Sequence, residues 1–226
     1  TRKESSAASD VYKRQVVVGS LTILVSSLIA KYNGPMNIVI FATLVVAFYT
    51  VGANTLNDYL DYKIDKINRP DRPITSGRIL RKHALIISIL AFIIGTIIAI
   101  QLNTNSQLVS IGISLPLIIA YNIKLKKLPL MGNIVVAIVL ALSFIYAGLA
   151  FSNLSPLILP AVLAFGLTLI REIVKDMADI IGDKSVGLKT FPIIFGENKT
   201  INLCVGLSVL LGVGAFIPFI TGHYKI

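Results

Sequence analysis

Seven apolar stretches recur along this chain, and they leave it few ways to fold. They run through residues 16–30, 36–56, 84–102, 108–123, 134–151, 157–170 and 201–220. Most approach the roughly 20 residues a helix needs to cross the hydrocarbon core of a bilayer. Backbone in lipid must satisfy its own N–H and C=O groups, and helices do so within one segment. Charged residues make up only 14% of the sequence, where an average soluble domain has about a quarter. The expected fold is therefore all-α, a polytopic transmembrane helical bundle. The single cysteine, Cys204, lies inside an apolar stretch, so neither a disulfide nor a cysteine-based metal site is available.

If the seven stretches cross in turn, their connectors alternate between two sides. One side then holds residues 1–15, 57–83, 122–129 and 171–199, with 19 of the 21 Lys and Arg residues. Lys31 and Lys225 are left for the other. By the positive-inside rule the first side is cytoplasmic, which gives a multi-pass protein of the cell membrane. Acidic residues follow topology only weakly, yet nine of the eleven fall in two segments, 57–71 and 172–197. Their confinement points to function.

The polar stretch "TRKESSAASDVYKRQ", residues 1–15, is read as a non-native or disordered tail, and residues 16–226 as one transmembrane domain, expected to be truncated at both ends. The triplet beginning at Asn153 has the form of a glycosylation acceptor on the outer side.

In "NTLNDYLDYKID", Asn54, Asp58, Asp61 and Asp65 are spaced 4, 3 and 4 apart, with Asn57 beside them. "REIVKDMADIIGD" repeats the spacing with Glu172, Asp176, Asp179 and Asp183. At 3.6 residues per turn each set forms one stripe on a helix, and the match suggests two related helical units. Facing carboxylates repel unless cations lie between them. Oxygen ligands suit Mg²⁺, which binds a few carboxylates, keeps waters and takes phosphate oxygens from a substrate. Two such stripes can bridge a diphosphate, with Arg69, Arg72, Lys126 and Lys189 neutralising the remaining charge. A diphosphate held at the mouth of an apolar helical cavity fits an allylic prenyl diphosphate. Metal ions would stabilise the departing diphosphate, apolar walls would keep water from the carbocation, and Tyr59, Tyr62 and Tyr121 are candidates to stabilise it.

"NDYLDYKID" resembles the NDxxDxxxD motif of the UbiA-type intramembrane prenyltransferases. "DMADIIGD", followed by "KSVGLKTFPIIFG", resembles their second acidic motif, and "YNIKLKKLPLMGN" is similar to the connector between the two. The resemblance implies a helical fold, typically of nine transmembrane helices around a central cavity, and Mg²⁺-dependent prenyl transfer. It implies metal binding by Asn57, Asp58, Asp61 and Asp65 and by Asp176, Asp179 and Asp183. Asp61, Asp179 and Asp183 become the catalytic candidates, and Lys126 a phosphate contact. Seven of the nine helices are present. Within the family the motifs most resemble members that join a geranylgeranyl group to the hydroxyl of geranylgeranylglyceryl phosphate, in archaeal ether-lipid synthesis. Chlorophyll synthase-like and quinone-forming aromatic prenyltransferases are the alternatives. The partners implied are a prenyl diphosphate, a lipid-phosphate acceptor and membrane lipid, with neither nucleic acid nor an obligatory protein partner.

Ion or proton transport is the non-enzyme alternative, since membrane acids and repeated halves also serve transporters. Transporter sites lie near the bilayer midplane, whereas the acids here sit at predicted helix ends. The DDxxD pair of soluble prenyl synthases does not occur.

Overall fold

Six helices among the described residues are long and apolar enough to cross a membrane: Met36–Leu60, Arg81–Ala99, Thr104–Ile123, Met131–Ala150, Ser155–Ala178 and Glu197–Ile220. The first apolar stretch, residues 16–30, continues a helix that ends at Ile29. The computed structural model describes residues 2–68, 70, 72–185 and 187–222, and its regular structure is helical throughout. The chain forms two compact units, one of residues 1–123 and 142–157, the other of 124–141 and 158–226.

The first unit contains α1 (Arg2–Ile29), α2 (Met36–Leu60), the short α3 (Tyr62–Asn68) and α4 (Arg81–Ala99). A further span follows as α5 (Thr104–Gln107), a π-helical stretch (Leu108–Ser114) and α6 (Leu115–Ile123). Helix α1 runs from Arg2 into the apolar stretch without a break. Helix α2 packs against α1, α4 and α6, and its 25 residues span about 37 Å at 1.5 Å per residue.

Close approach of α2 and α4 depends on two glycines placed reciprocally. A Cβ at Gly52 would fall 2.6 Å from the Phe92 ring, and one at Gly95 would fall 2.7 Å from the Tyr49 ring. The Tyr49 and Phe92 rings meet edge to face with centroids 6.1 Å apart. Tyr49 Oη lies 3.1 Å from Thr96 Oγ1, and buried Ser88 donates to the Gly52 carbonyl at 2.8 Å. Lipid tails are as apolar as leucine, so membrane helices associate through such close packing and hydrogen bonds rather than through hydrophobic burial.

One end of this unit is stitched by amides. Asn103 caps α5, its Oδ1 accepting from Ser106 N at 3.0 Å while its Nδ2 donates to Leu149 O at 2.7 Å. Asn153 Nδ2 donates to Ala30 O at 2.9 Å, and the Tyr32 and Phe151 rings meet at a tilt of 39° with centroids 5.0 Å apart. The acidic motif occupies the other end of α2.

The second unit holds a 3₁₀ turn (Leu125–Lys127), the first part of α7 (Met131–Ala150) and most of α8 (Ser155–Ala178). It continues through α9 (Ile180–Ser185), α10 (Phe191–Phe195) and α11 (Glu197–Ile220). Its core joins Ala137 of α7, Leu169 and Ile173 of α8 and Cys204 of α11. Cys204 is a core side chain, as its apolar setting in the sequence suggests. Gly166 admits Leu211, whose Cδ1 would lie 2.5 Å from an added Cβ. The outer positions Val209, Val213 and Phe216 are exposed, a surface for bilayer hydrocarbon to solvate.

The glycine contacts give a direct test of this packing. Gly52→Val should destabilise the protein by about 1–3 kcal/mol through overpacking against Phe92, read as a lower midpoint of thermal unfolding in detergent. A midpoint equal to that of the parent would show that α4 can move aside freely.

Candidate active site

The first acidic motif closes α2. Asp58 lies in its last turn, the helix ends at Leu60, Asp61 is a bend with φ −87° and ψ 6°, and α3 resumes at Tyr62 and carries Asp65. The single continuous stripe expected for Asp58, Asp61 and Asp65 is therefore divided between two helices. The bridge-region conformation of Asp61 turns the chain, yet the four-residue hydrogen-bond spacing survives across the turn. Asp61 N donates to Asn57 O at 2.8 Å, and Asp65 N donates to Asp61 O at 2.8 Å.

The second motif breaks in the same place and manner. Helix α8 ends at Ala178, Asp179 forms the turn, and α9 begins at Ile180 and carries Asp183. Here too Asp179 N donates to Lys175 O at 3.0 Å and Asp183 N to Asp179 O at 2.9 Å. Asp58 and Asp176 are thus equivalent, each three residues before the break. Asp61 matches Asp179, and Asp65 matches Asp183. Two segments with one spacing have one local fold.

Asp58 and Asp176 sit at the negative end of a helix dipole, where carboxylates are unfavourable, while Asp65 and Asp183 lie in the first turns of α3 and α9. In the first motif, Asp58 and Asp65 are each only 7% exposed, and Arg72 answers their charge. Its Nη1 donates to Asp58 Oδ1 at 3.0 Å and to Asp65 Oδ2 at 2.5 Å. Arg72, expected to meet diphosphate, thus bridges two carboxylates of the motif. The turn that carries it is internally bonded: Ser76 N donates to Arg72 O and Ile79 N to Pro73 O, both at 2.9 Å. Pro73, Ile74 and Ile79 of this turn, with Val51, Asn54, Thr55 and Asp58 of α2, border a half-open apolar cavity of about 420 Å³.

In the second motif Asn133 Nδ2 donates to Asp176 Oδ2 at 2.9 Å. Asp183 titrates above the ordinary carboxylate range, chiefly because it is partly buried, then because Asp176 and Asp179 repel its charge; Lys175 offsets part of this. Glu172, the fourth acid at the repeated spacing, pairs instead with its helical neighbours Arg171 and, at 3.6 Å, Lys175. Lys126 is half-buried in the 3₁₀ turn and has partners of its own, and Lys189 is exposed between α9 and α10. Arg69 and Asp71 lie outside the described residues.

Two connections escaped the sequence reading. Asn133 ends the connector "YNIKLKKLPLMGN", but nothing in the spacing links it to an aspartate 43 residues later. Arg81 is the other. Its guanidinium lies 4.4 Å from the Tyr59 ring centroid and 5.6 Å from that of Tyr62, while its Nε donates to Tyr59 O at 3.0 Å. Tyr59 and Tyr62, expected as partners for a carbocation, are engaged by this arginine and tie the end of α2 to the start of α4.

Among the described residues, no three His, Cys, Asp or Glu side chains form a group that could by itself enclose a metal ion. Mg²⁺ is usually held by one or two carboxylates together with waters and substrate phosphate rather than by an all-protein cage. The repulsion that raises Asp183 is also what a divalent cation would relieve. The donor sets fit such an ion.

A bundle of membrane-length helices with two aspartate motifs broken alike defines a class of intramembrane transferase. The sequence pattern of the UbiA prenyltransferase family matches residues 20–225, and the chain belongs to that family. It is a prenyltransferase. The digeranylgeranylglyceryl phosphate synthase of Pyrococcus furiosus is 39% identical over 211 residues, covering 91% of this chain and 73% of that protein. The corresponding synthase of Methanopyrus kandleri is 32% identical over 205 residues, covering 91% and 75%. A solved structure of a digeranylgeranylglyceryl phosphate synthase superposes with a TM-score of 0.81 at 26% identity, covering 97% of this chain and 80% of the other. A UbiA homologue from Archaeoglobus fulgidus, solved with DMAPP and Mg²⁺, shares the fold with a TM-score of 0.74 at 22% identity over 88% and 73%.

The bridge made by Arg72 predicts a conditional instability. Arg72→Ala should cost about 3–5 kcal/mol by leaving two buried carboxylates without their cation, seen as a lower unfolding midpoint. Combining it with Asp58→Asn and Asp65→Asn should recover much of the loss. A triple variant no more stable than Arg72→Ala alone would rule out charge as the cause.

Proposed function

We propose that this chain transfers a geranylgeranyl group from its diphosphate to the free hydroxyl of geranylgeranylglyceryl phosphate, forming the second ether bond of an archaeal membrane lipid. The observation that carries this reading is the identity to digeranylgeranylglyceryl phosphate synthases over nine tenths of the chain. The broken-helix form shared by the two aspartate motifs supports it.

The assigned roles follow from chemistry. Asn57, Asp61 and Asp65 of the first motif, and Asp179 and Asp183 of the second, supply oxygen donors for Mg²⁺, with Asp58 and Asp176 completing the two sets. When bound, Mg²⁺ neutralises the diphosphate and makes it a better leaving group. Lys126, Lys189 and Arg69 contribute positive charge toward phosphate oxygens, while Arg72 neutralises Asp58 and Asp65. The C1–O bond of the prenyl diphosphate breaks with its electron pair going to diphosphate. The glycerol hydroxyl oxygen then bonds C1, and its proton passes to a basic oxygen, either a motif carboxylate or the released diphosphate. Apolar helix faces exclude water from the allylic cation. The concentration of Lys and Arg in the connectors that bear the motifs supports a cytoplasmic site.

The assay uses purified protein in lipid with Mg²⁺, geranylgeranyl diphosphate and a panel of acceptors. Diphosphate should be released with geranylgeranylglyceryl phosphate and not with aromatic acceptors. Release with an aromatic acceptor alone would replace this reading with a quinone-forming one. Asp61→Ala and Asp179→Ala should each lower turnover by about 10²-fold or more, the loss expected when charge stabilisation is removed from a transition state, while the protein remains folded in the membrane. Near-parent rates in both variants would refute the two-motif site.

A further inference from the structure

We infer that Asn133 is the positioning residue of the second aspartate motif, fixing the carboxylate of Asp176 and holding the Lys126 connector against the same helix end. The inference rests on the metal-dependent reading above and adds to it a residue outside both motifs.

Three observations meet at the start of α7. Asn133 is 9% exposed, and its Nδ2 donates to Asp176 Oδ2 at 2.9 Å. An amide N–H has no acidity to lose in this range, so the contact holds with Asp176 ionised and leaves the other carboxylate oxygen for a second partner. The residue before it, Gly132, lies so close to the connector that a Cβ there would fall 3.1 Å from Lys126 Cα and 3.4 Å from Lys126 O. Both of those atoms belong to backbone, which cannot swing aside as a flexible side chain can. The dipeptide Gly132–Asn133 therefore does two things at once: it seats the turn bearing Lys126 and reaches Asp176 on α8.

The equivalence of the motifs gives this contact a meaning beyond local packing. Asp58, the counterpart of Asp176, is also held by a donor from another segment, Arg72. In each motif the acid three residues before the helix break is anchored from outside. In the second, the anchor is neutral. It can therefore orient a carboxylate without competing with a cation for the charge. Donors of this kind orient metal-binding carboxylates, and losing one weakens metal affinity by about 10–100-fold.

The test measures metal binding apart from turnover. Mn²⁺ is titrated by EPR into the purified protein in nanodiscs with geranylgeranyl diphosphate, and prenyl transfer is followed against Mg²⁺ concentration. Asn133→Leu, similar in size but unable to donate, should weaken Mn²⁺ binding by roughly 10–100-fold. Its rate should recover at high Mg²⁺, and Asn133→Ser, a shorter donor, should lie between it and the parent. Gly132→Ala should raise the KM for the diphosphate substrate more than it weakens Mn²⁺ binding. Unchanged Mn²⁺ affinity in Asn133→Leu would overturn the inference. Should that variant not fold, Asn133→Ser serves, and parent-like affinity there with its hydrogen bond lost would do the same. A parent protein that binds no Mn²⁺ would overturn the metal-dependent reading itself.

Discussion

The organising constraint in this protein is electrostatic: carboxylates gathered at the C-terminal ends of two membrane helices. The dipole there is already negative, and α2 has no basic residue in its last turn. Burial of Asp58 and Asp65 makes the arrangement costlier still. A chain tolerates this only where cations are supplied. Arg72 supplies one from the following turn, and a divalent ion would supply another. The turn of residues 72–80, the clasp of Arg81 on Tyr59 and Tyr62 and the amide of Asn133 all attach to these two helix ends.

Much of the fold was legible because its signal is long and repetitive. Every predicted apolar stretch falls on a helix, although residues 84–102 overrun the end of α4 at Ala99. The paired spacing of the aspartates was equally legible, and the local structure shows why: hydrogen bonds of helical spacing continue through Asp61 and Asp179. The bends themselves were not legible. A one-residue change of ψ leaves the four-residue rhythm of side chains nearly intact, so periodicity cannot report it. Partners across long sequence separations were also hidden, as Asn133 with Asp176 and Arg81 with Tyr59 illustrate. Arg72 was recognised as a cation of the site, but its role as a bridge between Asp58 and Asp65 depends on the fold of a turn that has no periodic pattern.

Helix association in the first unit uses the means available in lipid. Gly52 and Gly95 let α2 and α4 approach, and an edge-to-face aromatic pair with a buried Ser88 hydroxyl fills the contact. The exposed valines and leucines of the outer faces contribute little to this association, since bilayer and protein interior solvate them alike. Specificity resides in shape and in a few polar contacts, which is why small residues carry so much of it.

The amide stitches at one end of the first unit have a mechanical consequence. Asn103 and Asn153 bind main-chain carbonyls, contacts that neither salt nor pH in the ordinary range disturbs. The charged end is held by ion pairs whose strength depends on which cations are near. A body pinned at one end and charge-regulated at the other behaves like tweezers: its tips, and not its hinge, respond to solution conditions. Local opening should thus be concentrated at the charged end, and a cation captured there would be felt as stiffening at the tips alone.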